Sequence, residues 1–471
     1  MKSKKSLSKF VAIIWVTILG CLSLSVQGQI AVRNQGFVPF SEEPINYRSG
    51  VPNDPVARLQ KRLDSGEVAL EYEPEQGYLK SVLHNLKIPV SSQTLVFSKT
   101  SFQYKKISPQ TPRALYFNDD VYIGWVRDGK VLEIVSFDPM QGAIFYILDE
   151  QNLNQQATQK PEHPTFQRAE LDCIQCHVTA STRGVPGVLL RSVYANPSGT
   201  QATQATSFIT GHESPLKDRW GGWYITGTHG RQVHMGNVVV QDKEHPEKID
   251  RAAGANFVSL AERFDVSHYL TAHSDIVAHL VQAHQTQMHN LITLTNYQTR
   301  LALYAEANRK KNGWRYFEKP LDETRKQYET PAEELLRYLL FINEAPLTEQ
   351  IKGASGFTEE FAALGARDSL GRSLRDFDLN RRIFKYPCSY LIYSEAFDAL
   401  PEPAKSYIYR RLLEVLTERD QSPEFARLTR EDKRAILEIL LATKTGLPEE
   451  WNRYRKPILS SGKDPKQDQT G

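Results

Sequence analysis

From Ser274 to about Lys310 the chain carries neither glycine nor proline. Within that stretch Val277, Leu280, His284, Met288, Leu291, Leu294, Tyr297, Leu301 and Tyr304 recur at steps of three and four. That spacing keeps one face of an α-helix apolar, and Ser274-Asp275 supplies an N-cap. Unbroken, such a helix is about 55 Å long at about 1.5 Å rise per residue. A rod of that length exceeds the width of a small domain, so the other elements have to be laid along it.

The chain of 471 residues is long enough for several units, at roughly 100–200 residues per domain. The reading is α+β: an N-terminal antiparallel β-meander, a loop-rich segment, and a mostly α-helical C-terminal half. Val121–Val126 and Val131–Phe137 flank Asp128-Gly129, a hairpin signal. Ala143–Leu148 follows the turn at Pro139-Met140-Gln141-Gly142, and Val68–Tyr72 and Thr94–Phe97 are weaker strand candidates. Trp223–Thr226 and Val238–Val240 look like two further short strands. Thr330-Pro331-Ala332-Glu333 reads as a capping box opening a helix with proline in its first turn. Pro403–Thr417 and the stretch after Thr429-Arg430-Glu431-Asp432 supply two more helices. The expected division is 1–28 signal peptide, 29–60 polar lead-in and 61–150 β-rich domain. It continues with 151–262 as the loop-rich segment, 263–320 as the long helix, 321–455 as a helical domain and 456–471 as a flexible tail.

The first 28 residues place four lysines before an uncharged run from Phe10 to Val26, and Val26-Gln27-Gly28 ends it with small residues. This is the pattern of a secretory signal peptide, predicting a periplasmic or cell-envelope protein. Ile18-Leu19-Gly20-Cys21 resembles a lipoprotein cleavage site, a second route to the same compartment. Membrane contact is expected only through an uncleaved or lipidated N-terminus. Removing residues 1–28 leaves 54 basic against 55 acidic residues. No charge argument for a nucleic-acid partner remains.

One motif carries chemistry. Cys173-Ile174-Gln175-Cys176-His177 is C-x-x-C-H, the attachment signature of a c-type haem. Two thiols add across the porphyrin's two vinyl groups, and the next residue offers an imidazole to the iron. Chance would give this string in roughly one such sequence per thousand. A thioredoxin-like pair expects a βαβ setting, and a zinc site needs a second ligand pair. A disulfide between Cys173 and Cys176 leaves His177 unexplained. Once Cys21 is removed, the remaining cysteine, Cys388, reads as a small buried apolar residue.

His177 is therefore the expected proximal ligand of one covalent haem c. For the sixth position Met235 is the first choice, 58 residues after His177, with His234 beside it. The long helix offers His284 and Met288 on one face, near His279 and His289, although a helical stripe is more often core. Trp220, Trp223 and Tyr224, around Gly221-Gly222, suit either the edge of a porphyrin or a bulged strand. Asp119-Asp120 reads as a solvated turn.

These residues together resemble a family of large exported bacterial proteins described by a cytochrome c-like haem site. The resemblance rests on the haem motif, Ala114-Leu115-Tyr116-Phe117-Asn118-Asp119-Asp120 and Asp218-Arg219-Trp220-Gly221-Gly222-Trp223-Tyr224. It extends to His234-Met235-Gly236-Asn237, the helix around His284–Asn290, and Phe384-Lys385-Tyr386-Pro387. It implies one haem on Cys173 and Cys176 with His177 on the iron, and it brings no substrate. The expected function is electron transfer with a redox partner protein. The alternative is a haem enzyme or ligand sensor with an open or displaceable sixth position.

Overall fold

The computed structural model describes residues 38–150, 164–311 and 321–455. The expected export signal, Cys21 and the expected C-terminal tail lie outside the described residues. The molecule is α+β: an antiparallel sheet dominates the N-terminal half and helices dominate the C-terminal half.

In chain order, α1 (Pro55–Asp64) and α2 (Leu79–Asn85) precede the strands β1 (Thr94–Val96), β2 (Arg113–Phe117), β3 (Val121–Trp125), β4 (Val131–Asp138), β5 (Gly142–Asp149) and β6 (Phe166–Arg168). A short helix, α3 (Glu170–His177), and the short strands β7 (Arg191–Ser192), β8 (Phe208–Ile209) and β9 (Trp223–Tyr224) come next. The remainder is helical: α4 (Ile276–Lys311), α5 (Leu321–Leu339), α6 (Phe357–Ala363), α7 (Glu395–Asp398), α8 (Glu402–Leu416) and α9 (Arg430–Thr443).

The hairpin expectations hold. Gly124 pairs with Glu133 across the Asp128-Gly129 turn, and Asp138 pairs with Gly142 across the next. Val68–Tyr72 forms no strand, because two helices fill much of residues 55–85 and pack under the sheet through Val56, Leu59, Leu63, Leu79, Val82 and Leu83. Val238–Val240 forms none either, although Val240 N–H bonds the Ala195 carbonyl at 2.8 Å.

Sheet order is β6-β5-β4-β3-β2-β1-β9. Side chains alternate between its faces. Leu95, Tyr116, Ile123, Ile134 and Tyr146 point to the α1–α2 side. Phe117, Tyr122, Phe137 and Phe145 point to the main core, which continues into α4, α5, α8 and α9.

Helix α4 crosses that second face. Asp275 caps it, with Oδ1 accepting from Val277 N–H at 2.8 Å and Ala278 N–H at 3.3 Å. Thr94, Tyr122 and Phe137 meet Gln282, Gln285 and His289 along its length. Helix α5 does not begin at Thr330-Pro331: it is already helical at Leu321 and carries Pro331 inside. Proline removes one helical hydrogen bond, but Ala332, Leu335, Leu336 and Leu339 are fully buried in the main core. The Pro331 carbonyl also accepts from Thr295 Oγ1 of α4 at 3.2 Å. Packing outweighs the missing bond. Thr429 and Asp432 form the expected capping box of α9.

Candidate functional site

Helix α3 places Cys173 and Cys176 one turn apart, with His177 one turn beyond Cys173. Cys173 is half-buried at the margin of the main core, Cys176 is exposed, and neither is in a disulfide. The His177 ring lies 4.8 Å from Phe145 of β5. Its Nδ1 faces the Gly187 carbonyl at 2.8 Å. Because a carbonyl only accepts, Nδ1 carries the proton and Nε2 keeps the lone pair. Burial, then the Arg113 charge, holds this imidazole below its ordinary pKa, so the neutral form prevails. In return, Gly187 N–H donates to the His177 carbonyl at 3.0 Å.

The long helix secures this arrangement. Asn290 Oδ1 accepts from Val188 N–H at 3.0 Å, and Asn290 Nδ2 donates to the Val188 carbonyl at 2.7 Å. The order α4, Asn290, Val188, Gly187, His177 connects the opening feature of the sequence to its chemical motif. Such an outer partner fixes ring orientation and tautomer of a metal-binding histidine.

These residues fit a covalently held haem on two counts. The thiols share one turn, and a neutral imidazole presents Nε2. Among the described residues no three His, Cys, Asp or Glu side chains group as a site for a separate metal ion.

The other candidates stand elsewhere. No hydrogen bond or ring contact joins Met235, His234, His284 or Met288 to His177. Met235 is buried with Tyr194 and Val240 and lies 3.7 Å from Ser192 Oγ. His234 packs on Trp220 and His229, with Nδ1 accepting from Gly236 N–H at 3.0 Å. His284 has both nitrogens engaged, Nδ1 with His212 Nδ1 at 2.9 Å and Nε2 with Ser389 Oγ at 2.8 Å. Its ring stacks on Phe341 at 4.1 Å, and Met288, one turn on, is fully buried in the same core. Trp220 and Trp223 both touch His279. Tyr224 lies on the opposite sheet face, its ring tilted against Phe97 with centroids 4.8 Å apart. Gly221 lets the chain approach the Val193 carbonyl, which an added Cβ would meet at 2.3 Å. Asp119 pairs with Arg375.

Residue-level reading of the sequence did not find Phe145, Gly187 or Asn290 as partners of the motif. Only the sheet's face parity and the crossing of α4 reveal them. It also missed how many histidines are interior. Desolvation lowers His212, His234, His279 and His289 to about 3 and holds His284 well below its ordinary range. Burial acts oppositely on Asp120, Glu150 and Glu344, raised to about 7.

The sign of the pH dependence follows. Between roughly pH 4.5 and 6.5 unfolding adds protons to these five histidines and releases them from the three carboxyls. Each contributes about 1.4 kcal/mol per pH unit, so the histidines win by at least two protons. Below pH 4 the raised carboxyls become protonated in both states, and Asp420, held at about 2 by Ser422 and Arg411, begins to add its loss to that of the histidines. Urea midpoints should fall from pH 6.5 to 4.5 and more steeply below pH 4; a flat profile from 6.5 to 3.5 contradicts the buried neutral histidines.

Compared with family models, curated proteins and solved structures, the chain matches none. Among the described residues no helix is long and apolar enough to cross a membrane.

Proposed function

We propose that this chain is an exported monohaem c-type cytochrome-like protein that passes electrons to or from a redox partner protein in the cell envelope. The observation carrying the reading is the C-x-x-C-H helix whose terminal imidazole is held through Nδ1 by the Gly187 carbonyl, leaving Nε2 as a ligand. When bound, the haem supplies a one-electron couple tuned by its axial ligands and surroundings. Cys173 and Cys176 hold it, His177 ligates it, and Asn290 and Gly187 orient His177.

Carriage of electrons is preferred over catalysis because Glu133, the carboxylate acting on His177, is already committed. Arg113 and Glu133 pair at 2.5 Å, which leaves no acid or base there poised to move a substrate proton. The signal segment supports the compartment, since bacteria attach haem c outside the cytoplasm.

The deciding measurement is an absorption spectrum of purified protein made with a haem-attachment system, oxidised and reduced, with and without carbon monoxide. A low-spin spectrum indifferent to carbon monoxide is expected. A high-spin iron that binds it overturns the carrier reading in favour of a haem enzyme or sensor. Absence of haem after denaturation defeats both.

A further inference from the structure

Residues 76–118 contain no Asp or Glu, although the chain carries 55 acids over 471 residues. Six bases fall in that stretch: Lys80, Lys87, Lys99, Lys105, Lys106 and Arg113. Without residues 1–28 the chain as a whole is balanced, with 54 bases against 55 acids, so the excess is local. Two of the six are answered from outside the stretch, Lys80 by Glu73 at 2.6 Å and Arg113 by Glu133 at 2.5 Å. Lys99, Lys105 and Lys106, all in the connection from β1 to β2, form no ion pair among the described residues.

The same connection has its polarity turned inside out. Ser101 and Gln103 turn inward and fasten it to the β3–β4 hairpin. Ser101 Oγ donates to Glu133 at 2.8 Å, Gln103 Nε2 donates to the Val131 carbonyl at 3.0 Å, and Gln103 Oε1 accepts from Lys130 N–H at 2.8 Å. Phe102 and Tyr104 alternate with them and turn outward, 67% and 48% exposed. The polar side chains thus occupy the inner seats while two aromatic rings stand in water, against the hydrophobic effect. At the adjoining hairpin end Arg127 and Lys130 are matched in number by Asp128 and Asp149, so the surplus charge is that of the three lysines.

We propose that the β1–β2 connection is a membrane-contact site: Phe102 and Tyr104 enter the headgroup layer of an anionic phospholipid bilayer, and Lys99, Lys105 and Lys106 meet its phosphates. This contact is additional to the N-terminal one expected from sequence, and it needs no haem. Aromatic rings settle at headgroup level, and neighbouring lysines are drawn to anionic lipid while their stems lie along apolar surface. An acidic protein is the competing partner. A stable protein interface engages roughly 20–30 residues a side, far more than this loop offers, whereas a bilayer takes each side chain independently.

The test is co-sedimentation of the full chain with vesicles of phosphatidylcholine alone or mixed with phosphatidylglycerol, at low and high salt. Binding to the anionic vesicles alone, lost at high salt, is expected. Lys105→Gln with Lys106→Gln should weaken it about 25-fold, at about fivefold per lysine. Phe102→Ser, at an exposed position that the fold does not need, should weaken it about tenfold. Lys243→Gln with Lys248→Gln removes the same charge from another exposed segment and should leave binding unchanged. No binding to anionic vesicles overturns the proposal. So does equal binding to both vesicle types that the loop variants leave unaltered, which assigns the contact to the N-terminus. Binding of polyglutamate but not of anionic vesicles, abolished by the lysine variants, overturns it in favour of an acidic protein.

Discussion

Alanine at Cys173 and Cys176 together is expected to yield a folded protein from which all haem is lost on denaturation. Both thioether bonds disappear, so the expected change is from about one covalent haem per chain to none. Misfolding does not explain such a result in advance. Cys176 is exposed, and substitutions at such positions usually stay within about 0.5 kcal/mol. Cys173 is half-buried at the core margin, where loss of a small side chain costs on the order of 1 kcal/mol. His177→Ala separates attachment from ligation: the thiols remain, so haem should stay covalent while the spectrum turns high-spin. Haem staining of denaturing gels, with a circular dichroism melt of each variant, reads these outcomes. Retention of haem by the double-alanine protein would falsify attachment at this motif.

The largest expected effect on stability lies at Asp275. This fully buried carboxylate caps α4 with Oδ1, while Oδ2 accepts from Ala354 N–H at 2.6 Å, Ser355 N–H at 2.8 Å and Ser355 Oγ at 3.0 Å. One side chain thus fastens the start of the long helix to the loop before α6. Asp275→Ala removes a cap of about 1–2 kcal/mol and strands further donors at about 1–3 kcal/mol each. Because these terms are not additive, the expected loss is about 4 kcal/mol, a large share of the 5–15 kcal/mol typical of a folded protein. Asp275→Asn keeps one accepting oxygen, so it should lose about half as much. Urea denaturation monitored by tryptophan fluorescence measures both; a loss below about 1 kcal/mol for the alanine variant removes Asp275 from this role.

How much of this was visible beforehand depends on the range of the interactions. The β3–β4–β5 hairpins, the long helix and the box at Thr429 follow from neighbours a few residues apart, and they were legible. The cap at Asp275 was legible too, but its grip on Ala354 and Ser355 was not, since nothing local to either segment signals the other. Pro331 misled because its local signature is that of a helix start, whereas burial along α4 and α8 carries the helix through it. In the candidate site, the residue types and spacing of Cys173, Cys176 and His177 stood out. Phe145, Gly187 and Asn290 did not, because each meets His177 or its carbonyl partner only through the folded sheet and α4. The stripe of α4 correctly identified His284 as a packing residue, but its imidazole chain to His212 and Ser389 depends on two distant loops.

Strands β6 and β9 occupy opposite edges of the sheet. The chain between them, including the Cys173–His177 helix, must therefore travel its whole width, six steps of about 4.8 Å, or roughly 29 Å. It does so over the face crossed by α4, like a bowstring tied to both tips of the bow. The knot at the far tip, Val96 with Trp223, joins residues far apart in sequence, and non-local pairings of that kind slow folding. The helix bearing both thiols is thereby anchored through strands on either side of it, and its footing is only as firm as the sheet at its two edges.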